Sequence, residues 1–254
     1  MTSKTEKSQW SLSIGVLMIG SLYWDKVRAR WRADRFIRDI EFSVEAPIRY
    51  GRQSSSGTYT MVFSPSVPQM GTAKVLKCAH SIDGPSDLIN EAECLWTAER
   101  RQQRGDGTIS STWGCVALLV SPFRQTPEDL LEAWAERVSR DPQYGQFQYS
   151  PLEGPIVNTR GILQIEWPRL LESSDPLPLD LLLVTSNEPS FEGDARSYPS
   201  AETIAFAWKR SSEEKPEDKR ELYFWENRKA RITTFQDNAI EQILDNRRGC
   251  FSLL

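Results

Sequence analysis

Ser13-Ile14-Gly15-Val16-Leu17-Met18-Ile19-Gly20-Ser21-Leu22-Tyr23-Trp24-Asp25 is an apolar run that stops at a Gly-Ser-Leu turn and leaves through two aromatics. It is too short for a membrane helix and has the length of a buried strand, so residues 11–19 read as the first core strand. Gly20 is expected to turn the chain in a conformation closed to other residues. That would leave the N–H groups of Ser21 and Leu22 free to face a ligand.

The composition around this strand is that of an ordinary folded protein. The 254 residues are 39% hydrophobic and 26% charged, with a net charge of −4. That length can bury a sizeable core, and that charge supplies no global basic field for nucleic acid or an anionic membrane. Cys78, Cys94, Cys115 and Cys250 form no C-x-x-C pair, and His80 is the only histidine. A structural zinc site is therefore not expected, and scattered thiols fit a reducing cytoplasm. Lys4 and Lys7 precede the apolar run, but no small-x-small cleavage site follows it, so it is not read as a signal peptide.

Residues 25–40 carry Arg28, Arg30, Arg32, Arg35 and Arg38, with Trp31, Phe36 and Ile37 between them. Such a run could grip a phosphate backbone. Asp25, Asp34 and Asp39 cancel much of its field, so a solvated helix or loop is expected. Ile48-Arg49-Tyr50-Gly51-Arg52 leads through Gln53-Ser54-Ser55-Ser56-Gly57 into β-forming residues 58–63. Residues 71–78 and 112–120 read as strands. Residues 87–101 show helical spacing, with Leu88, Ala92, Leu95 and Trp96 on one side and Glu91, Glu93 and Glu99 placed elsewhere. Asp87 is the expected cap of that helix. Thr126-Pro127-Glu128-Asp129 opens another, with Leu130, Leu131, Trp134 and Val138 on its apolar side. Further on, strands are expected at 161–167, 179–185, 221–225 and 230–234. Helices are expected at 198–208 and 235–244, with a charged loop at 211–219.

Read in order, these landmarks resemble the γ-glutamyl cyclotransferases, above all their ChaC-type branch. The strand ending in Gly20-Ser21-Leu22 with Trp24 is followed by Arg49-Tyr50 and Gln53-Ser54, similar to the family's Arg-aromatic pair and Gln-Gly-Ser run. Gly71-Thr72-Ala73-Lys74-Val75-Leu76 resembles its glycine-led strand, and Trp113-Gly114-Cys115-Val116-Ala117 its Trp-Gly-Val-Ala strand. Ala133-Trp134-Ala135-Glu136-Arg137, with Tyr144 after it, is similar to the region carrying the family's essential glutamate. Glu136 falls near that position, whereas strict alignment to Tyr144 puts Arg140 there. The resemblance spans residues 1–150, leaving 79–111 as an insertion with its own helix and the residues from 151 as a C-terminal extension of the same single domain.

The resemblance implies an α+β fold: a mixed, largely antiparallel sheet curled into a barrel with helices packed outside. It also implies release of pyroglutamate from a γ-glutamyl amine or peptide, glutathione among them, with no cofactor or metal. Glu136 would move the proton. The Gly20, Ser21 and Leu22 backbone would face the oxyanion, Arg49 would hold the substrate carboxylate, and Ser54 and Tyr144 would complete the substrate site. The alternative is the same body without catalysis, a module binding a small anionic ligand or a protein partner. Neither a membrane nor a nucleic acid is an expected partner. Each named residue also has a plainer reading: Arg49 and Glu136 as surface charges, residues 54–56 as a turn, Tyr144 as a cap over the core.

Overall fold

The apolar run after Ser13 becomes the centre of a sheet in the computed structural model, which describes residues 10–55, 57–102, 105–144, 154–193, 196–214 and 221–245. Strand β1 (Ile14–Met18) is buried throughout. It pairs antiparallel with β5 (Gly71–Cys78) on one side and parallel with β8 (Leu181–Asn187) on the other. The sheet extends through β2 (Phe36–Ala46) beyond β5, and through β7 (Gly114–Val120) and the short β6 (Ser110–Ser111) beyond β8, in the order β2-β5-β1-β8-β7-β6. Every pairing except β1–β8 is antiparallel. A separate hairpin joins β3 (Ile48–Gln53) to β4 (Tyr59–Phe63).

Both faces of the central strands are covered, which is why β1 and β8 read as unbroken apolar runs rather than as alternating ones. On one face Ile14, Val16, Met18, Leu181 and Leu183 pack against α3 (Pro85–Glu99) and α4 (Glu128–Arg140), through Leu88, Leu95, Trp96 and Trp134. On the other face Leu17, Leu182 and Val184 meet the β3–β4 hairpin and three C-terminal helices, α5 (Ala201–Glu214), α6 (Glu221–Lys229) and α7 (Asp237–Asp245). Tyr50, Trp208 and Phe224 form the centre of that second layer. The result is a mixed α+β body in which helices sandwich an open sheet. Among the described residues no pairing joins the β2 edge to the β6 edge, so the expected closure into a barrel is not seen.

Several local expectations change for physical reasons. Residues 221–225, expected as a strand, open helix α6: Phe224 and Asn227 lie one turn apart and are both buried, a spacing that an apolar-aromatic cluster alone conceals. Residues 230–234 make only a single bridge, Thr72 to Thr233. Helix α5 continues past Trp208 to Glu214, into the stretch expected as a charged loop, the rest of which lies outside the described residues. Gly84 rather than Asp87 precedes α3, and Asp87 instead accepts from the Asp83 N–H. The arginine-rich stretch forms one 3-10 turn (Lys26–Arg28) and α2 (Ala29–Arg35), and β2 starts at Phe36. Arg28 is buried and Arg35 pairs with Glu91, so part of the run is internal structure rather than a solvated face. Among the described residues no helix is long and apolar enough to cross a membrane.

Candidate functional site

The parallel pairing of β1 with β8 sends both strands the same way, Leu17 opposite Val184. The same offset continued brings Gly20 level with Asn187. The chain then turns into α1 (Ser21–Trp24), and a cavity of about 60 Å³ opens at this end of the two strands. Crevices at the C-terminal ends of parallel strands are a recurrent place for ligands. The wall includes Gly20, Ser21 and Leu22 from the turn, Arg52 from β3, Glu99 from the end of α3 and Tyr223 from α6. Thr185 and Asn187 of β8 complete it. One water needs about 10–15 Å³ of such space, so there is room for a small polar group.

Gly20 is in this wall for a steric reason. Its φ of 178° is extended backbone that any residue adopts, not the conformation closed to other residues that the sequence suggests. A Cβ added there would overlap the Tyr223 hydroxyl. Glycine thus lets α6 approach the turn. Burial and the neighbouring charge of Glu99 hold the Tyr223 phenol up to about 12, although its contacts with Met61 and Asn227 work the other way, so the group remains a proton donor at neutral pH. Trp24 ties the same helix to the turn by donating from Nε1 to Asn227 Oδ1 at 2.7 Å.

Arg28 brings Glu99 to the turn. This buried guanidinium donates to the last carbonyls of α3, Ala98 O and Glu99 O, at 3.0 Å each. It also donates to Asp25 Oδ2 at 2.7 Å and reaches Ser21 Oγ at 3.4 Å. One planar five-donor group therefore caps the C-terminus of α3 and fixes it against α1. Arg32 holds the other side of the turn through Leu22 O at 2.7 Å.

The charged groups of the cavity are not neutralised by contact. The half-buried Glu99 carboxylate makes no hydrogen bond or ion pair among the described residues, and it interacts with Arg28, Arg52 and Arg101 only at longer range. Burial pushes its carboxyl up, and those arginines oppose the shift. Arg52 lies 4.9 Å from the Trp113 ring centre and has no carboxylate within ion-pair distance among the described residues. Burial lowers its guanidinium, with Glu99, Tyr223 and Glu188 opposing from a distance. Thr185 Oγ1 and Asn187 Oδ1 are buried and have no hydrogen-bond partner among the described residues. Buried polar atoms are ordinarily paired, and two of the exceptions among the described residues, Thr185 Oγ1 and Asn187 Oδ1, belong to residues of this cavity wall, beside the charged Glu99 and Arg52.

Of the residues named from sequence, Gly20, Ser21 and Leu22 line this cavity. The others stand elsewhere. Glu136 lies on the solvent face of α4, 61% exposed and ion-paired to Arg140, one turn away on the same helix. It does not face the Gly20 turn. Arg49 stacks on Tyr198 at 4.1 Å and lies 5.3 Å from the Phe235 ring centre, and it is not part of the cavity wall. Ser54 closes the β3–β4 turn, its Oγ accepting from Thr58 N at 3.2 Å. Tyr144 donates to Val116 O at 2.9 Å, a cap over the core.

The residues that the sequence reading missed had partial signals. Leu88, Ala92, Leu95 and Glu99 recur at four, three and four, a helical stripe whose last member is a carboxylate on the buried side. Thr185 and Asn187 alternate on one strand face directly after an apolar run. Arg52 follows Arg49 by three, and the register slip at Gly51, with Tyr50 opposite Met61 and Arg52 opposite Thr60, cannot be read from propensity. Tyr223 had no signal, because its segment read as a strand. Among the described residues no group of three or more His, Cys, Asp or Glu could hold a metal ion. Comparison with protein-family models, curated proteins and solved structures gives no match to this chain.

Proposed function

We propose that the chain is a γ-glutamyl cyclotransferase-type enzyme whose working carboxylate is Glu99. The observation that carries this reading is the unpaired, desolvated Glu99 carboxylate sharing one small cavity with the Gly20-Ser21-Leu22 turn. In the reaction the α-nitrogen of a γ-glutamyl group bonds to its own γ-carbonyl carbon, and the bond from that carbon to the leaving nitrogen breaks. Of the three ammonium protons, one stays on the lactam nitrogen and two pass by way of Glu99 to the leaving nitrogen. The products are pyroglutamate and a free amine, and no water is consumed.

Each part has a physical role. Holding the substrate folded supplies much of the rate, because the step is intramolecular. A carboxylate raised by burial is better matched to an ammonium proton than one in water. The first N–H groups of α1 have no partner within the helix and suit the oxyanion that forms at the γ-carbonyl. The protonated Tyr223 hydroxyl stands at the same turn.

The test is pyroglutamate release from a panel of γ-glutamyl amines, amino acids and peptides, glutathione included, followed against pH. Release from at least one compound is expected. Its kcat/KM should fall as pH drops through a value above the ordinary carboxylate range, the direction in which burial moves Glu99. Absence of release across the panel would contradict the reading.

A further inference from the structure

The start of α7, the end of β2 and the chain entering β5 line a second cleft, of about 310 Å³, which shares no lining residue with the cavity at Gly20. Met70 and Leu171 line it, 44% and 46% exposed, two of the few large apolar side chains that the described residues leave in solvent. Asp237 lines it as well, with its side chain 2% exposed. Its Oδ1 accepts from Thr234 N and Oγ1 at 2.9 and 2.7 Å, in the manner of a capping box. Its Oδ2 accepts no hydrogen bond, and the ion pair it makes, with Arg228 Nη1, is loose at 3.8 Å. Arg228 is committed elsewhere, Nη2 donating to Glu241 Oε2 at 2.8 Å. A buried carboxylate oxygen without a donor is costly, so this one calls for a cation that can donate. Glu45 is in the same lining and makes no ion pair among the described residues. The start of a helix would by itself favour an anion, but Glu45 and Asp237 repel one.

We infer that this cleft binds an alkylammonium, its head donating to Asp237 Oδ2 and its aliphatic stem covering Met70 and Leu171. An ammonium carries three N–H donors and no acceptor, which serves Oδ2 and leaves donors for Glu45. Asp237 is enclosed, so the head reaches Oδ2 by taking the place of Arg228 Nη1. Arg228 is about one-third exposed and keeps Glu241, so it gives up the loose pair without being stranded. Stems of this kind lie along apolar surface while the charge finds a polar partner. A free aliphatic amine and the lysine side chain of a polypeptide present this same group. The inference does not depend on the reaction proposed above, because the two sites have no residue in common.

The test is titration of the full chain with n-pentylamine, with 1-pentanol, which has the same stem and no charge, and with Nα-acetyl-lysine amide, followed by NMR amide shifts. Pentylamine is expected to shift Thr72, Thr234 and Asn238 with a Kd of about 1 mM or tighter, and to bind at least about tenfold more tightly than pentanol, the worth of one charge-assisted contact. Lysine amide binding as well as pentylamine identifies a polypeptide lysine as the source; pentylamine binding alone identifies a free amine. The groups facing Asp237 are Thr234 and Glu241 from its own segment, Arg228 from α6, Tyr50 from β3 and, in the cleft lining, Glu45 from β2. Burial holds the Tyr50 phenol well above its ordinary value, so it stays protonated. Burial pushes the Asp237 carboxyl up to about 6. Binding should therefore weaken as pH falls through that value, while the amine keeps its proton. Asp237→Asn should erase the preference over pentanol, and Glu45→Gln should reduce it, which keeps a variant in hand should the first fail to fold. Equal binding of pentylamine and pentanol, binding of neither, shifts away from this cleft, or an undiminished preference in folded Asp237→Asn overturns the inference.

Discussion

Glu99 and Gly20 carry most of the site, and both are costly to the fold. A carboxyl raised by burial binds its proton more readily in the folded chain than in the unfolded one. Its contribution to stability therefore falls as pH rises from the ordinary carboxylate range through the raised value. Glu99→Gln removes that penalty. It is expected to raise the melting temperature at neutral pH, with a smaller gain under acid conditions, which thermal unfolding across pH would show. Asp237 obeys the same sign rule away from the cavity. Burial pushes its carboxyl up to about 6, although the Thr234 hydroxyl and N–H oppose the shift. Wild-type stability relative to Asp237→Asn should fall between about pH 4 and pH 6, by up to about 3 kcal/mol, and urea unfolding at stepped pH measures it. Gly20→Ala drives a Cβ into the Tyr223 hydroxyl. A loss of about 1–3 kcal/mol is expected, partly recovered in Gly20→Ala/Tyr223→Phe, and a double-mutant cycle reads the coupling. Gly20 was legible as a special position in the sequence, but for the wrong cause. The turn geometry it suggested is local, whereas the helix that excludes a side chain arrives from two hundred residues away in the chain.

Among the elements, α3 is where sequence reading and structure differ most usefully. Its existence and apolar side follow from periodicity, and Leu88, Ala92, Leu95 and Trp96 are buried as that pattern requires. Its place in the fold does not follow. Taken as part of an insertion, α3 was set apart from the site, yet its last residue lines the cavity. The determinant is Arg28, which looked like one of a run of surface arginines and instead caps the end of α3 from inside. Substituting Arg28→Met strands the Glu99 carbonyl, leaves the Ala98 carbonyl with backbone N–H donors such as that of Arg101, and frees the Asp25 carboxylate on one side. A cost of roughly 1–3 kcal/mol for the stranded acceptor is expected in chemical unfolding. Proton exchange should increase selectively at the α1 and α3 ends, because the clamp joins those two elements. On α4 the amphipathic face was legible to the residue, with Leu130, Trp134 and Val138 buried, and that same pattern places Glu136 outward. A resemblance in residue order pointed to the helix; helical phase decides which carboxylate can work.

At the scale of the whole molecule, the cavity is assembled from separated parts of the chain: β1 and its turn, β3, α3, β8 and α6. The apolar runs at 11–19 and 179–185 were each legible as buried strands. That they are neighbours was not, because parallel pairing across such a separation leaves no local signal. The consequence is that residues after 150 are no appendage. β8 lies between β1 and β7, so a chain ending at residue 150 lacks the centre of its sheet and is expected not to fold, giving poor amide dispersion in NMR spectra. The same topology supplies Thr185, Asn187 and Tyr223 to the proposed site, so the catalysis proposed there would need residues from both sides of position 150. The most direct measurement is the rate of pyroglutamate release by Glu99→Gln and Glu136→Gln set beside the wild type. Loss of a general acid-base group costs about 10²–10⁴-fold. A loss of that order in Glu99→Gln with Glu136→Gln unchanged is the expected result. Undiminished release by Glu99→Gln would contradict the assignment of the working carboxylate.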